Sequence, residues 1–284
     1  VQFCHATGTQ AHTAGLSNFH NAFAHIYEGR YLAGVVAGLK LKEMIDNGTI
    51  TADKAKMGYV GAFTFAEVIS GYTSFYLGAK SIVPEVTMDV KFTGSWYDEA
   101  KEKQAAQALI DNGCVLISQH ADSMGAPTAC EAAGVPNVSY NGSTAAACPK
   151  TFLVSSRINW VPYFEYMITQ VKDGKAIDTD WAGDLSNGAV ALTELGTAVA
   201  AGTAEKLADV KAKVIAGEIE VFDTANFTVH GAKLVTYTAD VDTDAAYTPD
   251  TEVIANGIFQ ESKFRSGPYF DLRIDGITLL DEAY

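Results

Sequence analysis

Lys56-Met-Gly-Tyr-Val-Gly-Ala62, Val86-Thr-Met-Asp-Val-Lys-Phe92 and Cys114-Val-Leu-Ile-Ser118 are three short apolar or alternating runs. Helical patterns over Ala66–Ala79 and Glu99–Asn112 separate them. Strand, helix and strand recurring at about thirty residues make βαβ units, which predict a parallel sheet with right-handed crossovers. In such sheets ligands sit beyond the carboxyl ends of the strands, so the residues just after each run are the ones to test for chemistry.

Downstream the alternation continues with a helix at Ala126–Ala133, strand Asn137-Val-Ser-Tyr140 and strand Phe152-Leu-Val-Ser155. Upstream, Val1-Gln-Phe-Cys-His-Ala-Thr7 reads as a short strand followed by a Gly- and Thr-rich loop. Apolar residues Ile26, Tyr31, Leu32, Val35, Leu39 and Met44 predict a helix over Ile26–Asn47, which Asn47-Gly48 stops. Beyond Trp160 a helix to about Gly174 leads into a turn-rich stretch around Trp181 and Gly183. Strand Ala189–Leu195 and helix Thr203–Ala216 follow. The tail carries Asp223, Asp240, Asp242, Asp244 and Asp250 among Thr, Tyr and Gly, and predicts loops and antiparallel strands packed over the sheet.

The 284 residues give a prior of two lobes. The expected division puts 1–55 and 159–180 in lobe 1, 56–158 and 181–220 in lobe 2, and 221–284 in a C-terminal extension packed on both. Crossing strands are expected near Lys54–Lys56 and Ser155–Asn159. The fold class is a two-lobed α/β clamp. A formal charge of −14 repels phosphate backbones and anionic lipid surfaces, which argues against nucleic acid as a partner. The apolar runs are short, the best being around Tyr31–Leu41, so no membrane span is expected within the chain. The first residues lack a basic, apolar leader pattern.

Cys4, Cys114, Cys130 and Cys148 have neither metal-ligand spacing nor the density of a disulfide framework. Cys4 and Cys114 read as small apolar residues inside strands, whereas Cys130 and Cys148 bracket one βα unit and could bridge in an oxidising compartment. Asp240-x-Asp242-x-Asp244 resembles the start of a calcium loop but lacks the Gly at its sixth position and the Glu at its twelfth, so a solvated acidic loop is expected. Phosphate-loop, dinucleotide, nucleophile-elbow and zinc-protease motifs are absent, and no cofactor is implied.

The strand ends carry Phe63 and Phe65, then Trp96, His120 with Asp122, Asn141, and Arg157 with Trp160. Aromatic faces with short polar tips suit a site that stacks a flat ring and hydrogen-bonds a polyol. Each has a plainer role as well: Asp98 suits the cap of the helix beginning at Glu99, His120 a satisfied buried imidazole, Asp122 and Asn141 turn residues, and Arg157 an interlobe ion pair.

These segments resemble the basic membrane protein family, the PnrA-like nucleoside-binding lipoproteins that serve ABC importers on a periplasmic-binding-protein type I fold. Tyr27-Glu-Gly-Arg-Tyr-Leu-Ala-Gly34 is similar to the family's helix signature, and Gly58-Tyr-Val-Gly-Ala62 to its glycine-rich strand and loop. Gly71-Tyr72 to Gly78-Ala79, Gly94-Ser-Trp-Tyr-Asp98, Asn112-Gly-Cys-Val-Leu-Ile117 and Ser155-Ser-Arg157 follow in the family's order. The resemblance covers roughly residues 1–220. It places the family's stacking aromatic at or next to His120, its ribose-binding carboxylate near Asn141 and its basic residue at Arg157. An imidazole and an amide there depart from the family pattern, and Asp122 offers the missing carboxylate.

The resemblance also implies about three βα units ahead of the strand at Val1–Thr7. Without them a sheet edge and apolar helix faces would be uncovered. The function it implies is extracytoplasmic solute binding by hinge closure on a nucleoside or nucleobase. The partner is an ABC permease, and any contact with the membrane is through an N-terminal lipid outside this chain. The alternative is an enzyme of nucleoside or sugar metabolism using His120 or Asp122 as acid or base.

Overall fold

The computed structural model describes residues 1–242 and 250–284. In chain order the first elements are β1 (Phe3–Ala6), α1 (Ala11–Ala14), β2 (Phe19–Ala24), α2 (Ile26–Asp46), β3 (Lys56–Gly61), α3 (Ala66–Lys80), β4 (Thr87–Phe92) and α4 (Glu99–Asp111). Then come β5 (Leu116–Gln119), α5 (Gly125–Ala133), β6 (Asn137–Tyr140), β7 (Phe152–Ile158), α6 (Val161–Lys172), β8 (Asp180–Gly183), β9 (Val190–Leu192) and α7 (Thr203–Ile215). The tail adds β10 (Thr238–Ala239), β11 (Thr251–Glu252), β12 (Ile254–Ala255), β13 (Ile258–Phe259) and β14 (Ile277–Leu279).

The larger sheet has the order β14-β4-β3-β5-β6-β7-β9, parallel except for β9, which runs against β7. Its central order is that of a doubly wound sheet, with the reversal between β3 and β5. Alternate side chains of β3 feed two cores. Met57 and Tyr59 join Val35, Leu32 and Phe75 of α2 and α3, while Val60 joins Leu109, Ile117, Ala126 and Cys130 on the α4–α5 side. Burial on both faces explains why these strands read as nearly continuous apolar runs. Helix α4 starts where Asp98 accepts from the Lys101 N–H at 3.0 Å, and Glu102 reaches back to the Asp98 N–H at 3.0 Å. This reciprocal cap confirms the role read for Asp98.

A second, three-stranded parallel sheet has the order β1-β2-β8, with α6 packed on β8 through Tyr163, Tyr166 and Trp181. Strands β2 and β8 escape the sequence reading. Buried His20 and Asn21 break the apolar alternation of β2, and Asp180 and Gly183 give β8 the composition of a turn. The edge strand β1 exposes Phe3, and α6 exposes Phe164, Ile168 and Val171.

The chain passes between the sheets at His25, between β7 and α6, and between β8 and β9. The passage after β7 follows Ile158. The expected one near Lys54–Lys56 is corrected: that segment joins α2 to β3, and α2 packs on α3 and β7 of the larger sheet. Periodicity shows that α2 is a helix but not which sheet it covers.

The tail is also more than loops and antiparallel hairpins. Strands β10–β11 and β12–β13 do pair antiparallel, but β14 lies parallel to β4 and closes that edge of the larger sheet. Phe222, Phe259 and Phe270 of the tail extend the core on the α2–α3 side, with the Phe222 and Phe270 rings stacked at 4.4 Å and Phe222 5.3 Å from Tyr27 of α2. Asp244 of the acidic triplet lies outside the described residues. Cys130 and Cys148 are buried, unbridged thiols, and burial pushes the Cys130 thiol up to about 12. Among the described residues no helix is long and apolar enough to cross a membrane.

Candidate ligand-binding site

A cavity of about 340 Å³ opens at the carboxyl ends of the strands, lined by Thr7, Glu67, Trp96, His120, Asp122, Tyr140, Asn141, Ile158 and Trp160. The volume suits a small ligand. All but Thr7 and Trp160 come from the larger sheet: Glu67 from the first turn of α3, Trp96 after β4, His120 and Asp122 after β5, Tyr140 and Asn141 at the end of β6, and Ile158 at the end of β7, while Trp160 caps α6, which packs on the smaller sheet. Thr7 follows β1, so the cavity lies where the carboxyl edges of the two sheets meet.

His120 is its pivot. The ring is 1% exposed, with Nε2 3.2 Å from Glu67 Oε1 and Nδ1 3.3 Å from the Tyr59 hydroxyl. A carboxylate only accepts, so Nε2–H donates to Glu67 and Nδ1 accepts from Tyr59. Burial, and then the Arg30 charge, lower the imidazole's proton affinity, against the opposing pull of Glu67 and Asp122. The ring fits because Gly71 of α3 faces it: a Cβ there would lie 3.0 Å from Nδ1. On the outer wall Asp122 accepts from Asn141 Nδ2 at 3.2 Å. Partial burial raises the Asp122 carboxyl, opposed by His120, Asn141 and Arg30. Asn141 takes the left-handed conformation at φ 62°, which a short amide side chain tolerates, and Thr7 takes it at φ 62°, which a β-branched residue tolerates poorly.

Five of the eight residues read from the strand ends line this cavity together: Trp96, His120, Asp122, Asn141 and Trp160. Phe63 and Phe65 stack on each other at 5.1 Å and lean on Trp96 at 5.5 and 6.4 Å, forming a rim outside the lining. Arg157 is exposed on β7 opposite Ala191 and lies outside the lining. Sequence reasoning missed Glu67, Tyr140, Ile158 and Thr7, which sit inside elements or before a loop. It also missed Arg30, whose guanidinium is buried beneath the cavity, 3.6 Å from the centroid of Tyr140. Its signal was present: Arg30 is the one charge between Glu28 and Lys40 in a helix of small and apolar residues.

Two parallel α/β sheets whose carboxyl edges meet at a cavity make the periplasmic-binding-protein type I fold. ABC transporter solute-binding proteins from Aeropyrum pernix (TM-score 0.64, 15% identity, 77% of this chain and 70% of that one) and Conexibacter woesei (TM-score 0.59, 21% identity, 77% and 70%) share it. Residues 1–225 match the Bmp family, described as ABC transporter substrate-binding protein PnrA-like, and the chain belongs to that family. It is 31% identical over 226 residues to a putative ABC transporter glucose-binding protein of Haloferax volcanii, covering 79% of this chain and 54% of that one. It is 36% identical over 174 residues to a purine-binding protein of Brucella abortus, covering 61% and 45%. The chain thus spans about half the length of these curated relatives.

Proposed function

We propose that this chain is the ligand-capturing part of an extracytoplasmic binding protein that delivers a nucleoside or nucleobase to an ABC permease. The observation that carries the reading is the cavity's polarity. Two carboxylates, Glu67 and Asp122, and the rings of Trp96, Tyr140 and Trp160 line it, while its described lining holds no Lys or Arg. Carboxylates accept from hydroxyls and ring N–H groups, and aromatic faces hold a flat ring, so a neutral heterocycle or its riboside fits and a phosphorylated one is repelled.

Capture proceeds by closure. The sheet bearing Thr7 approaches the sheet bearing His120 and Asp122, with bending at the three passages between sheets, and a ligand touching both sides favours the closed form. The lobes that move are residues 1–24 with 159–183 against 26–158 with 190–220, the tail riding on the latter. The closed form is what the permease reads, at the outer face of the membrane.

Tryptophan fluorescence tests this directly. Trp181 packs on Tyr163 and Tyr166 in the smaller sheet, so W181F leaves Trp96 and Trp160, both in the cavity wall, as reporters. Saturable quenching by adenosine, guanosine or their bases, with the compound recovered intact by chromatography, is the expected result. Saturation by glucose alone moves the reading to a sugar carrier, and conversion of the nucleoside to product moves it to an enzyme.

A further inference from the structure

Arg30 is 1% exposed and has no carboxylate within ion-pair distance among the described residues. One of its five N–H groups is accounted for by Nη1 donating to the Gln119 carbonyl at 2.7 Å, while Nε and Nη2 are buried without a hydrogen-bond partner. The guanidinium carbon lies 3.6 Å from the centroid of Tyr140 and 5.8 Å from that of Tyr59. A buried cation with most of its donors unused costs stability unless something nearby needs its charge.

Taking the cavity above to be the ligand site, we propose that Arg30 is its positioning residue: it binds the end of β5 to the ring of Tyr140 from below and fixes His120 as a donor toward Glu67. The link runs through neighbours. Gln119 immediately precedes His120, so the Nη1 bond anchors the backbone from which the imidazole projects. The Tyr140 ring that Arg30 covers lies 4.9 Å from the His120 ring. The groups facing His120 from the surrounding elements are Arg30 of α2, Tyr59 of β3, Glu67 of α3, Asp122 beyond β5 and Tyr140 of β6. Arg30 is the one permanent cation in that set. It disfavours a second positive charge on the ring, so Nδ1 stays an acceptor for Tyr59 and Nε2–H stays aimed at Glu67.

The test is the titration of His120 in the full chain by proton NMR, with H120N assigning the signal among the six histidines. Arg30→Gln keeps an amide donor for the Gln119 carbonyl but removes the charge, and Arg30→Lys keeps the charge but removes the flat face over Tyr140. In R30Q the His120 midpoint rises by about one pH unit or more, the scale of losing a unit charge a few ångströms away, and in R30K it stays within a few tenths. Affinity for the nucleoside that quenches wild-type fluorescence falls about tenfold in R30K, from loss of the stacked plane. Equal midpoints in wild type and R30Q, or equal shifts in R30Q and R30K, overturn the proposal, since a merely structural residue moves both variants or neither. The titration needs no ligand. A wild type that binds no nucleoside therefore counts against the function proposed above, and the midpoints still decide the role of Arg30.

Discussion

Asn141 Nδ2 donates to Asp122 Oδ1 across 3.2 Å, joining the carboxyl ends of β6 and β5 on the wall of the cavity. The pair leaves the second oxygen of Asp122 for a ligand and orients the amide of Asn141 beside it. A charge-assisted bond to a ligand hydroxyl is worth about 1.5–3 kcal/mol, so Asp122→Asn weakens nucleoside binding by about tenfold or more with little change in folding stability. Isothermal titration of the two proteins checks this, and equal affinities rule out Asp122 as a ligand contact.

Helices α2 and α3 cross at glycines. A Cβ on Gly34 would fall on the Phe75 carbonyl oxygen, and one on Gly78 on the Tyr31 carbonyl oxygen. Backbone cannot step aside as a side-chain tip can, so Gly34→Ala or Gly78→Ala costs about 3 kcal/mol by forcing the helices apart. Gly142 has nothing within 4 Å of its would-be Cβ, so Gly142→Ala stays within about 0.5 kcal/mol. Urea unfolding of the three variants measures the contrast.

Burial pushes the Glu261 carboxyl up to about 8, although Ser70 and the Tyr269 N–H face it. An unfolded Glu titrates near about 4.3, so between that pH and about 8 the native state holds a proton that the unfolded chain has released. Stability therefore falls as pH rises through this window and levels off above it, by on the order of a few kcal/mol from this group. Glu261→Gln removes that slope. Midpoints of thermal unfolding taken from about pH 5 to about pH 9 would show the wild type declining and the variant flat in this component.

Thr7 holds φ 62° where β1 delivers the chain to the cavity. Left-handed backbone is costly for a β-branched residue and tolerated by Asn, so Thr7→Asn stabilises the protein by about 0.5–1 kcal/mol. Because Thr7 lines the cavity proposed to take the ligand, the same change is expected to lower ligand affinity. Chemical denaturation and fluorescence titration of one variant read both effects.

The sequence by itself determined the parallel sheet, because strands buried on both faces must be apolar almost throughout and their helices must recur at crossover length. That reading holds for β3 to β7 and for the helices between them. It also located Trp96, His120, Asp122, Asn141 and Trp160, since residues after parallel strands emerge on one edge whatever the details of packing.

Only the tertiary structure decided which sheet α2 covers, that β14 closes the edge beside β4, and that Glu67 and Arg30 meet His120 from two different helices. Periodicity records that a side chain is buried but not against what. Glu67 lies 53 positions from His120 and Arg30 lies 89 from Gln119. Their juxtaposition comes from two helices brought close at Gly34 and Gly78, a contact between backbones that leaves no pattern in the spacing of side chains.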